Sequence, residues 1–343
     1  MTFSDRIIAW QRQHGRHDLP WQNTRDPYAI WVSEIMLQQT QVAAVIPYYR
    51  RFTARFPDIA SLATADEDAV LQHWSGLGYY SRARNLHAAA QAIMEQHGGR
   101  FPQEFDAIQQ LPGIGRSTAA AIAVFAFGQR QAILDGNVKR VLTRCYGIEG
   151  WPGQPAVKKR LWALAETLLP QTGIETYTQG VMDLGATLCT RGKPVCSDCP
   201  LGEQCVARHE NRSAELPTPK PRKTIPQRKT TMLLLLSGNE ILLEKRPPSG
   251  IWGGLWSLPE LASGEDAQQA ALKRFGLETQ LLPSLATFTH TFTHFRLHIT
   301  PQPLQITRTL PEAREAGVLW LDRQDALGAA LPSPIRKLLE KLE

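Results

Sequence analysis

One carboxyl group stands out in this 343-residue chain as a side chain that could do acid chemistry. Glu34 follows Ile30 by four residues and Trp31 by three, in a stretch with the apolar spacing of a helix. It therefore shares a helix face with apolar side chains. A carboxyl group on such a face has a raised pKa and stays protonated near neutrality, which suits an acid catalyst. The alternative is a glutamate at the helix rim that bonds a neighbouring cation.

Four of the five cysteines lie in one short segment with the spacing C-x6-C-x2-C-x5-C. The N-terminus has no signal-peptide core, so we expect an intracellular chain, in which such clustering favours a metal site over disulfides. Four close thiolates can hold an iron–sulfur cluster or a zinc ion. The single CxxC pair favours the cluster, and zinc remains the alternative. The four residues are Cys189, Cys196, Cys199 and Cys205.

A glycine-rich turn that opens a helix is a third candidate. Residues 111–115 read LPGIG, and a run of small residues typical of a helix follows from Ser117 to about Phe127. Backbone N–H groups at a helix start lack intrahelical partners, and the helix dipole adds partial positive charge, so the turn can bind a phosphate. An ordinary connection between two helices would look the same. The stretch ends at Asp135, just before a second helix that carries Lys139.

Two polar stretches predict a surface for nucleic acid. Residues 38–41 are four uncharged polar residues in a row, which suits hydrogen bonds to base edges, although a solvated helix end is the alternative. Residues 76–85 place glycines around a tyrosine pair that includes Tyr79, followed by Arg82. The aromatic side chain can wedge or stack, and the arginine can hold a phosphate. A hinged loop with inward-facing tyrosines would have the same composition.

The elements that must position these residues divide the chain in two. Helix follows helix without convincing strands through the first half, which predicts an all-α domain over residues 1–212. Residues 213–229 alternate proline with basic residues and predict an extended cationic linker. Residues 230–343 show strand patterns with short helices, which predicts an α+β domain. Within that domain, FTHTFTHFRLHIT alternates as one strand does.

Composition and charge fit a globular protein with a polyanionic partner. Hydrophobic residues make up 43% of the chain and charged residues 20%, and the net charge is +6. The positive excess fits a polyanion without identifying it. No apolar run is long enough to span a membrane. We therefore expect a cytoplasmic monomer without a membrane partner.

Taken together, these motifs resemble the helix–hairpin–helix DNA glycosylase superfamily. LPGIG is similar to its hairpin, the Asp135 segment to its catalytic aspartate region, and the cysteine spacing to its 4Fe-4S loop. Within the superfamily, the chain looks like the MutY-type adenine DNA glycosylases, and its second half resembles their Nudix-like C-terminal domain. The resemblance covers nearly the whole chain and is carried by SEIMLQQTQV, GLGYYSRARNLH, ILDGNVKR, RPPSGIWGGLWSLPE and FTHTFTHF.

This resemblance implies a monofunctional glycosylase that excises adenine mispaired with 8-oxoguanine, or with guanine, from duplex DNA in base excision repair. Glu34 would protonate adenine at N7, because adenine is a poor leaving group until it is protonated. Asp135 would stabilise the oxocarbenium sugar, as an ion or through a covalent intermediate. The base must first leave the stack, which requires a pocket and a wedge. The implied cofactor is a 4Fe-4S cluster on the four cysteines.

The resemblance also implies contacts with the DNA. Leu37, Gln38 and Tyr79 would lie near the gap and the oxidised guanine, and Gln179 in the adenine pocket. Thr293, where many relatives have serine, would read 8-oxoguanine together with its neighbours. The full expected set is Trp21, Leu37, Gln38, Tyr79, Arg82, Gly113, Gly115, Ser117, Lys139, Gln179, Phe292, Thr293 and His294.

Two departures from related families bear on the activity. Ser117 stands where endonuclease III-type relatives carry a Schiff-base lysine, so efficient β-lyase strand cutting is not expected. The second half lacks the Nudix-box spacing of Gly, Arg and paired Glu, so we predict a reader domain without pyrophosphatase activity. Lys139, one turn from Asp135, could form adducts with the abasic sugar or simply contact a phosphate. The alternatives for the whole chain are an endonuclease III-type glycosylase for oxidised pyrimidines, a non-catalytic damage sensor and a Nudix hydrolase.

Overall fold

Two compact units make up the structure, a computed structural model that describes residues 1–221, 224–310 and 317–342. The first unit contains residues 1–64 and 85–221, and the second contains residues 65–84 with the described residues from 224 onward. The domain and linker boundaries expected from the sequence remain predictions. Among the helices of the described ranges, none has the length and apolar character needed to cross a bilayer.

The first unit is helical, and its described residues contain no strand. Its elements are α1 (Phe3–His14), α2 (Pro27–Leu37), α3 (Val42–Arg55), α4 (Ile59–Ala63), most of α6 (Ser81–His97), α7 (Phe105–Gln110), α8 (Arg116–Phe127), α9 (Gly136–Cys145), α10 (Pro155–Thr167), α11 (Ile174–Thr187), a 3-10 turn (Gly202–Gln204) and α12 (Val206–His209). Local signals set the helix starts. Asp26 caps α2 by accepting a hydrogen bond from the Tyr28 N–H at 3.0 Å, and Pro27 occupies the first turn. The all-α fold predicted for this half is confirmed.

Small residues in α8 allow the other helices to approach it closely. Residues 119–124 are each at most 2% exposed, and four of the six are alanine. The helix packs against α2, α7 and α11, and α11 packs in turn against α1 and α9. Burial of this apolar helix therefore brings α2, α9 and α11 around one centre.

The turn between α7 and α8 requires glycine at one position. Gly113 has a φ of +76°, and a Cβ placed there would lie 2.6 Å from the Cβ of Asn85. The Ile114 N–H donates to the Leu111 carbonyl at 3.1 Å and closes the turn. Gly115 then occupies the N-cap of α8, where it offers no side-chain acceptor to the first-turn N–H groups. These groups remain available to an external acceptor.

The second unit is an α+β domain, as predicted, and its sheet contains both parallel and antiparallel strand pairs. In its described residues the main strand order is β3-β2-β1-β7-β5, with β4 beside β1, β6 beside β7 and β8 beside β2. The elements are α5 (Glu67–Trp74), the start of α6, β1 (Gln227–Ser237), β2 (Glu240–Lys245), β3 (Trp256–Ser257), β4 (Glu260–Leu261), α13 (Ala267–Phe275), β5 (Leu277–Leu281), β6 (Phe288–Thr291), β7 (Arg296–Thr309), β8 (Val318–Asp322), α14 (Arg323–Gly328) and α15 (Ser333–Leu339).

Strand β1 lies at the centre of this sheet. Its residues 232–236 are buried on both faces, which explains the unbroken apolar run MLLLL in the sequence. It pairs in parallel with β7, from Gln227 opposite Arg296 to Leu236 opposite Gln305. The Arg296 N–H also donates to the Pro226 carbonyl at 2.8 Å, so the last residues before β1 are tied to the start of β7.

The prediction that FTHTFTHFRLHIT forms a single strand is wrong. Strands β6 and β7 form an antiparallel hairpin instead, with Thr291 opposite Arg296 and residues 292–295 in the turn. The Phe292 N–H donates to the Phe295 carbonyl at 2.9 Å, and their rings stack with centroids 4.5 Å apart. This ring contact requires the chain to reverse between the two phenylalanines.

Candidate functional site

A cleft of about 1530 Å³ lies within the first unit. Its walls come from α2 and the residues after it, the loop before α2, the start of α8, the start of α9, and the faces of α10 and α11. The cleft brings together Trp21, Glu34, Leu37, Gln38, Gly115, Ser117, Asp135, Lys139 and Gln179 from the predicted set.

Glu34 reaches the cleft from α2 as a partly buried carboxyl group. Burial, and then the charge of Asp135, raise the pKa of Glu34 to about 8. Both effects disfavour the anion, because it loses water and faces a like charge. Glu34 therefore holds a proton at neutral pH.

Asp135 is the N-cap of α9, and its Oδ1 accepts a hydrogen bond from the Val138 N–H at 2.7 Å. Burial raises the pKa of Asp135, while N–H bonds from Val138 and Asn137 and the charges of Arg140 and Lys139 lower it in part. These donors and cations all stabilise the anionic form. The surroundings of the two carboxyl groups in the cleft thus differ in how well they stabilise a negative charge.

Ser117 lies in the first turn of α8 and supports the segment that carries Asp135. Its Oγ accepts a hydrogen bond from the Leu134 N–H at 3.0 Å. Ser117 stands where endonuclease III-type relatives carry a lysine amine, and here its hydroxyl holds the chain segment next to Asp135. Seventeen residues separate the two partners, so no local pattern signals this bond.

Two lysines face the cleft near Asp135. Lys139 is half-buried on α9. Burial and the charge of Lys158 lower the pKa of Lys139, and the nearby Asp135 carboxylate raises it in part. Lys158 comes from α10 and also lines the cleft. Lys158 carries no functional signal in the sequence, because its surroundings contain no motif that distinguishes it from a solvated lysine.

The four clustered cysteines line one small pocket, next to Arg144. Burial, and the charges of the other three thiolates, raise the pKa of Cys199 to about 11. In the described part of the chain, no three His, Cys, Asp or Glu side chains converge in a geometry suited to a single metal ion. The four thiols nevertheless face the same enclosed space, and sulfur is the donor that iron–sulfur clusters and zinc use.

Helix α9 connects this segment to Asp135. Arg140 donates to the Cys189 carbonyl at 2.6 Å, to the Gly185 carbonyl at 2.6 Å and to Asn137 Oδ1 at 2.8 Å. Arg144, only 3% exposed, donates to Cys189 Sγ at 3.4 Å. The cysteine segment therefore rests on the same helix that Asp135 caps.

In the second unit, the loop of residues 76–80 and the start of α6 carry two predicted contact residues, Tyr79 and Arg82, and only Tyr79 is exposed to solvent. Tyr79 has a φ of +50° and is 43% exposed. Arg82 is buried; its guanidinium donates to the Gly78 carbonyl at 3.1 Å and lies 5.4 Å from the ring centroids of Trp74 and Tyr79. Burial lowers the pKa of Arg82 to about 10. In this conformation Arg82 holds the loop, and a phosphate contact by Arg82 stays a prediction.

The turn of the β6–β7 hairpin carries the other predicted contacts. Thr293 and His294 are exposed at its tip, while Phe292 packs against the ring of Trp252 at 5.5 Å. Phe295 is 2% exposed and anchors the turn in the second unit. The hydroxyl of Thr293 and the imidazole of His294 are thereby displayed on a supported aromatic base.

Replacement of Glu34 should change how stability depends on pH. Because its pKa is higher in the folded protein than in the unfolded chain, Glu34 contributes stability below about pH 4.5 that is lost as the pH rises through about 8. E34Q lacks this ionisation. Urea unfolding gives the free energy of unfolding of E34Q and of the wild type at each pH. We expect the wild type to lose stability relative to E34Q by more than ~1 kcal/mol between pH 5 and pH 8.5. A constant difference would contradict the raised pKa.

Comparison with known proteins places this geometry in a family. Residues 32–167 match the model of the HhH-GPD superfamily base excision DNA repair proteins, and residues 230–341 match that of the NUDIX domain. The adenine DNA glycosylase of Buchnera aphidicola subsp. Acyrthosiphon pisum (strain APS) is 38% identical over 342 residues, which cover 99% of this chain and 97% of that protein. The Homo sapiens adenine DNA glycosylase is 34% identical, with 98% of this chain and 73% of that protein covered.

Solved structures agree with the fold of the first half. A thermostable thymine-DNA glycosylase superposes with a TM-score of 0.56 at 32% identity and covers 61% of this chain and 95% of its own. A non-covalent endonuclease III–DNA complex gives 0.53 at 20% identity, with 61% of this chain and 94% of that chain covered, and so supports the fold alone. On the strength of its full-length relatives, the chain belongs to the MutY-type adenine DNA glycosylases, hydrolases that act in base excision DNA repair.

Proposed function

We propose that this glycosylase excises adenine paired with 8-oxoguanine, or with guanine, in duplex DNA, and that it acts as a monomer. The observation that carries the proposal is the pair of unlike carboxyl groups in one cleft. Glu34 holds a proton near neutrality, and Asp135 has the N–H donors and cations that support an anion. Cleavage of an N-glycosidic bond requires both functions, an acid for the leaving base and a negative charge for the sugar.

The reaction begins when adenine leaves the stack and enters the cleft. Glu34 donates its proton to N7, which makes the base a better leaving group. As the glycosidic bond breaks, positive charge develops on the sugar, and the Asp135 carboxylate stabilises it by electrostatic attraction or by a transient bond. Water then completes hydrolysis at the sugar carbon, and the proton released by that water restores the acid form of Glu34.

Residues around the cleft position the DNA in this proposal. The free N–H groups at the start of α8 bind a backbone phosphate next to the target nucleotide, and Lys139 supplies positive charge beside them. Gln38, whose Nε2 donates to Thr118 Oγ1 at 3.3 Å, and Leu37 lie at the cleft wall for contact with the gap. Trp21 and Gln179 form part of the base pocket.

Ser117 limits the reaction to base removal. Its hydroxyl already binds the Leu134 N–H, and it cannot form a Schiff base. Lys139 carries an amine but belongs to the helix that Asp135 caps, and we assign it to phosphate binding. The product is therefore an abasic site in an uncut strand.

The four cysteines would hold a 4Fe-4S cluster in the pocket that they line. With cysteine ligands on all four irons, such a cluster would leave no open position for substrate and would make its loop more rigid. Arg140 and Arg144, both on α9, bind the Cys189 carbonyl and Sγ and would connect that rigid loop to the helix. In this way the cluster would support the helix that Asp135 caps.

The second unit reads the base opposite adenine through the turn of residues 292–295. Thr293 offers a hydroxyl that can donate and accept, as discrimination of 8-oxoguanine from guanine requires. We assign no pyrophosphatase activity to this unit, because two carboxylates of its sheet are already paired with arginines: Glu244 with Arg274 at 2.6 Å and Glu260 with Arg246 at 2.9 Å.

Single-turnover assays test the proposed function. The substrates are duplexes with adenine opposite 8-oxoguanine, adenine opposite thymine, and thymine glycol. We expect adenine release from the first substrate only, with the strand intact until alkali is added. D135N should lower that rate by at least about a hundredfold and still bind the duplex. Preference for thymine glycol, or strand cutting without alkali, would refute the proposal.

Metal analysis tests the cofactor. We expect about four iron and four acid-labile sulfide atoms per chain, and their loss in C196S. The matched control is C145A, since Cys145 is buried outside the cysteine pocket; this variant should keep its iron. One zinc ion per chain in place of iron would show that the cysteines hold a different metal.

Substitution of Thr293 tests the reader turn. T293A removes a hydroxyl but keeps the aromatic base of the turn, so the ratio of excision opposite 8-oxoguanine to that opposite guanine should fall by about fivefold to tenfold. The rate of the chemical step at saturating enzyme should stay near that of the wild type. T291A, which removes an exposed hydroxyl from the adjacent strand, is the control. If T293A and T291A discriminate 8-oxoguanine from guanine equally well, Thr293 does not read the opposite base.

A further inference from the structure

A buried carboxylate lies behind the wall of the cleft. Asp183, on α11, has a fully enclosed side chain. Its Oδ1 accepts from Arg16 Nε at 2.7 Å, from Arg16 Nη2 at 2.6 Å and from Gln179 Nε2 at 2.8 Å. Its Oδ2 accepts from the Arg16 backbone N–H at 2.9 Å. All four donors converge on one residue that takes no direct part in the proposed chemistry.

This bond fixes the orientation of the Gln179 amide. A glutamine can present either its oxygen or its NH2 group to a ligand, and the two ends are similar in shape. An ionised carboxylate only accepts hydrogen bonds, so the NH2 group must face Asp183. Gln179 lines the cleft, and with its NH2 group held by Asp183 the amide offers its acceptor, Oε1, to a ligand.

The same carboxylate also fixes the loop opposite α11. Arg16 belongs to the segment between α1 and α2, and its carbonyl accepts from Gln22 Nε2 at 3.0 Å. Gln22 Oε1 in turn accepts from the Leu19 N–H at 3.1 Å, next to Trp21 in the cleft wall. Asp183 thus holds two walls of the pocket, one with an aromatic ring and one with an oriented amide.

We propose that Asp183 is a positioning residue that makes the pocket selective for a base with an amino group at C6. With Oε1 of Gln179 exposed, the pocket accepts a hydrogen bond from the amino group of adenine and repels the carbonyl oxygen of hypoxanthine. The inference rests on the proposed function, because it assumes that a purine enters this cleft. It adds the selection of the base to the cleavage already assigned to Glu34 and Asp135.

The test compares single-turnover excision of adenine and of hypoxanthine, each opposite 8-oxoguanine. The rate ratio cancels effects that act equally on both bases. D183A removes both acceptor oxygens, so Gln179 loses the bond that orients its amide, and we expect the adenine-to-hypoxanthine ratio to fall by about tenfold, the equivalent of one hydrogen bond. Q179L should lower the ratio by a similar factor, and the double variant should lower it no further.

A second variant covers the case in which D183A fails to fold because it leaves Arg16 without its ion-pair partner. R16M/D183L replaces the buried carboxylate and its partly buried arginine with apolar groups, a change that proteins often tolerate better than the loss of one partner, and it also frees the Gln179 amide. T178V is the control, since Thr178 is a buried residue on the same helix whose hydroxyl has no hydrogen-bond partner in the described structure; its ratio should equal that of the wild type.

The outcomes separate the two proposals. If the wild type releases adenine and a folded Asp183 variant keeps the wild-type ratio, the positioning role is wrong and the glycosylase function stands. If Q179L keeps the ratio, Gln179 does not read C6 and the inference also fails. If the wild type releases no adenine, both the proposed function and the role of Asp183 are overturned.

Discussion

The structure of the first unit brings two partly buried carboxyl groups into one cleft. Burial of a single carboxylate is costly, and two that face each other cannot both ionise easily. The conflict is resolved by unequal surroundings. Burial raises the pKa of both groups, but Asp135 also receives the N–H groups of a helix start and two nearby cations, whereas the charge of Asp135 raises the pKa of Glu34 further. This difference favours the proton on Glu34. The apolar helix α8 contributes to the arrangement because α2 and α11 pack against it, and α11 packs in turn against α9.

The second structural theme is that one helix serves two sites. Helix α9 begins at the capping carboxylate and carries Arg140 and Arg144 toward the cysteine segment. A metal cluster far from the substrate would thereby affect the geometry of the reacting group without taking part in the reaction. The two arginines connect α9 to the cysteine segment through backbone carbonyls and one sulfur. The connection therefore depends more on the backbone path of that segment than on its side chains.

Much of the fold and of the site could be predicted from local signals. Asp26-Pro27, the glycines of the turn before α8 and the apolar run of β1 each determine structure through residues close in sequence. The hairpin at residues 292–295 could not be predicted in this way, because the alternation of FTHTFTHF continues through the turn and only the ring stacking of Phe292 on Phe295 reveals the reversal. Ser117 and Asp183 act through bonds to partners 17 and 167 residues away. For Arg82, composition alone could not tell whether its guanidinium faces solvent or the carbonyls of its own loop.

The register of β1 and β7 has a mechanical consequence. The chain enters β1 directly after Pro226, and the Pro226 carbonyl accepts a hydrogen bond from the N–H of Arg296, the residue that follows the turn of residues 292–295. Because the two strands run in parallel over ten residue pairs, tension on the chain before Pro226 loads the whole ladder in shear instead of opening it one bond at a time. The turn of residues 292–295 is thus mounted on the part of the sheet that best resists a pull on the chain before β1.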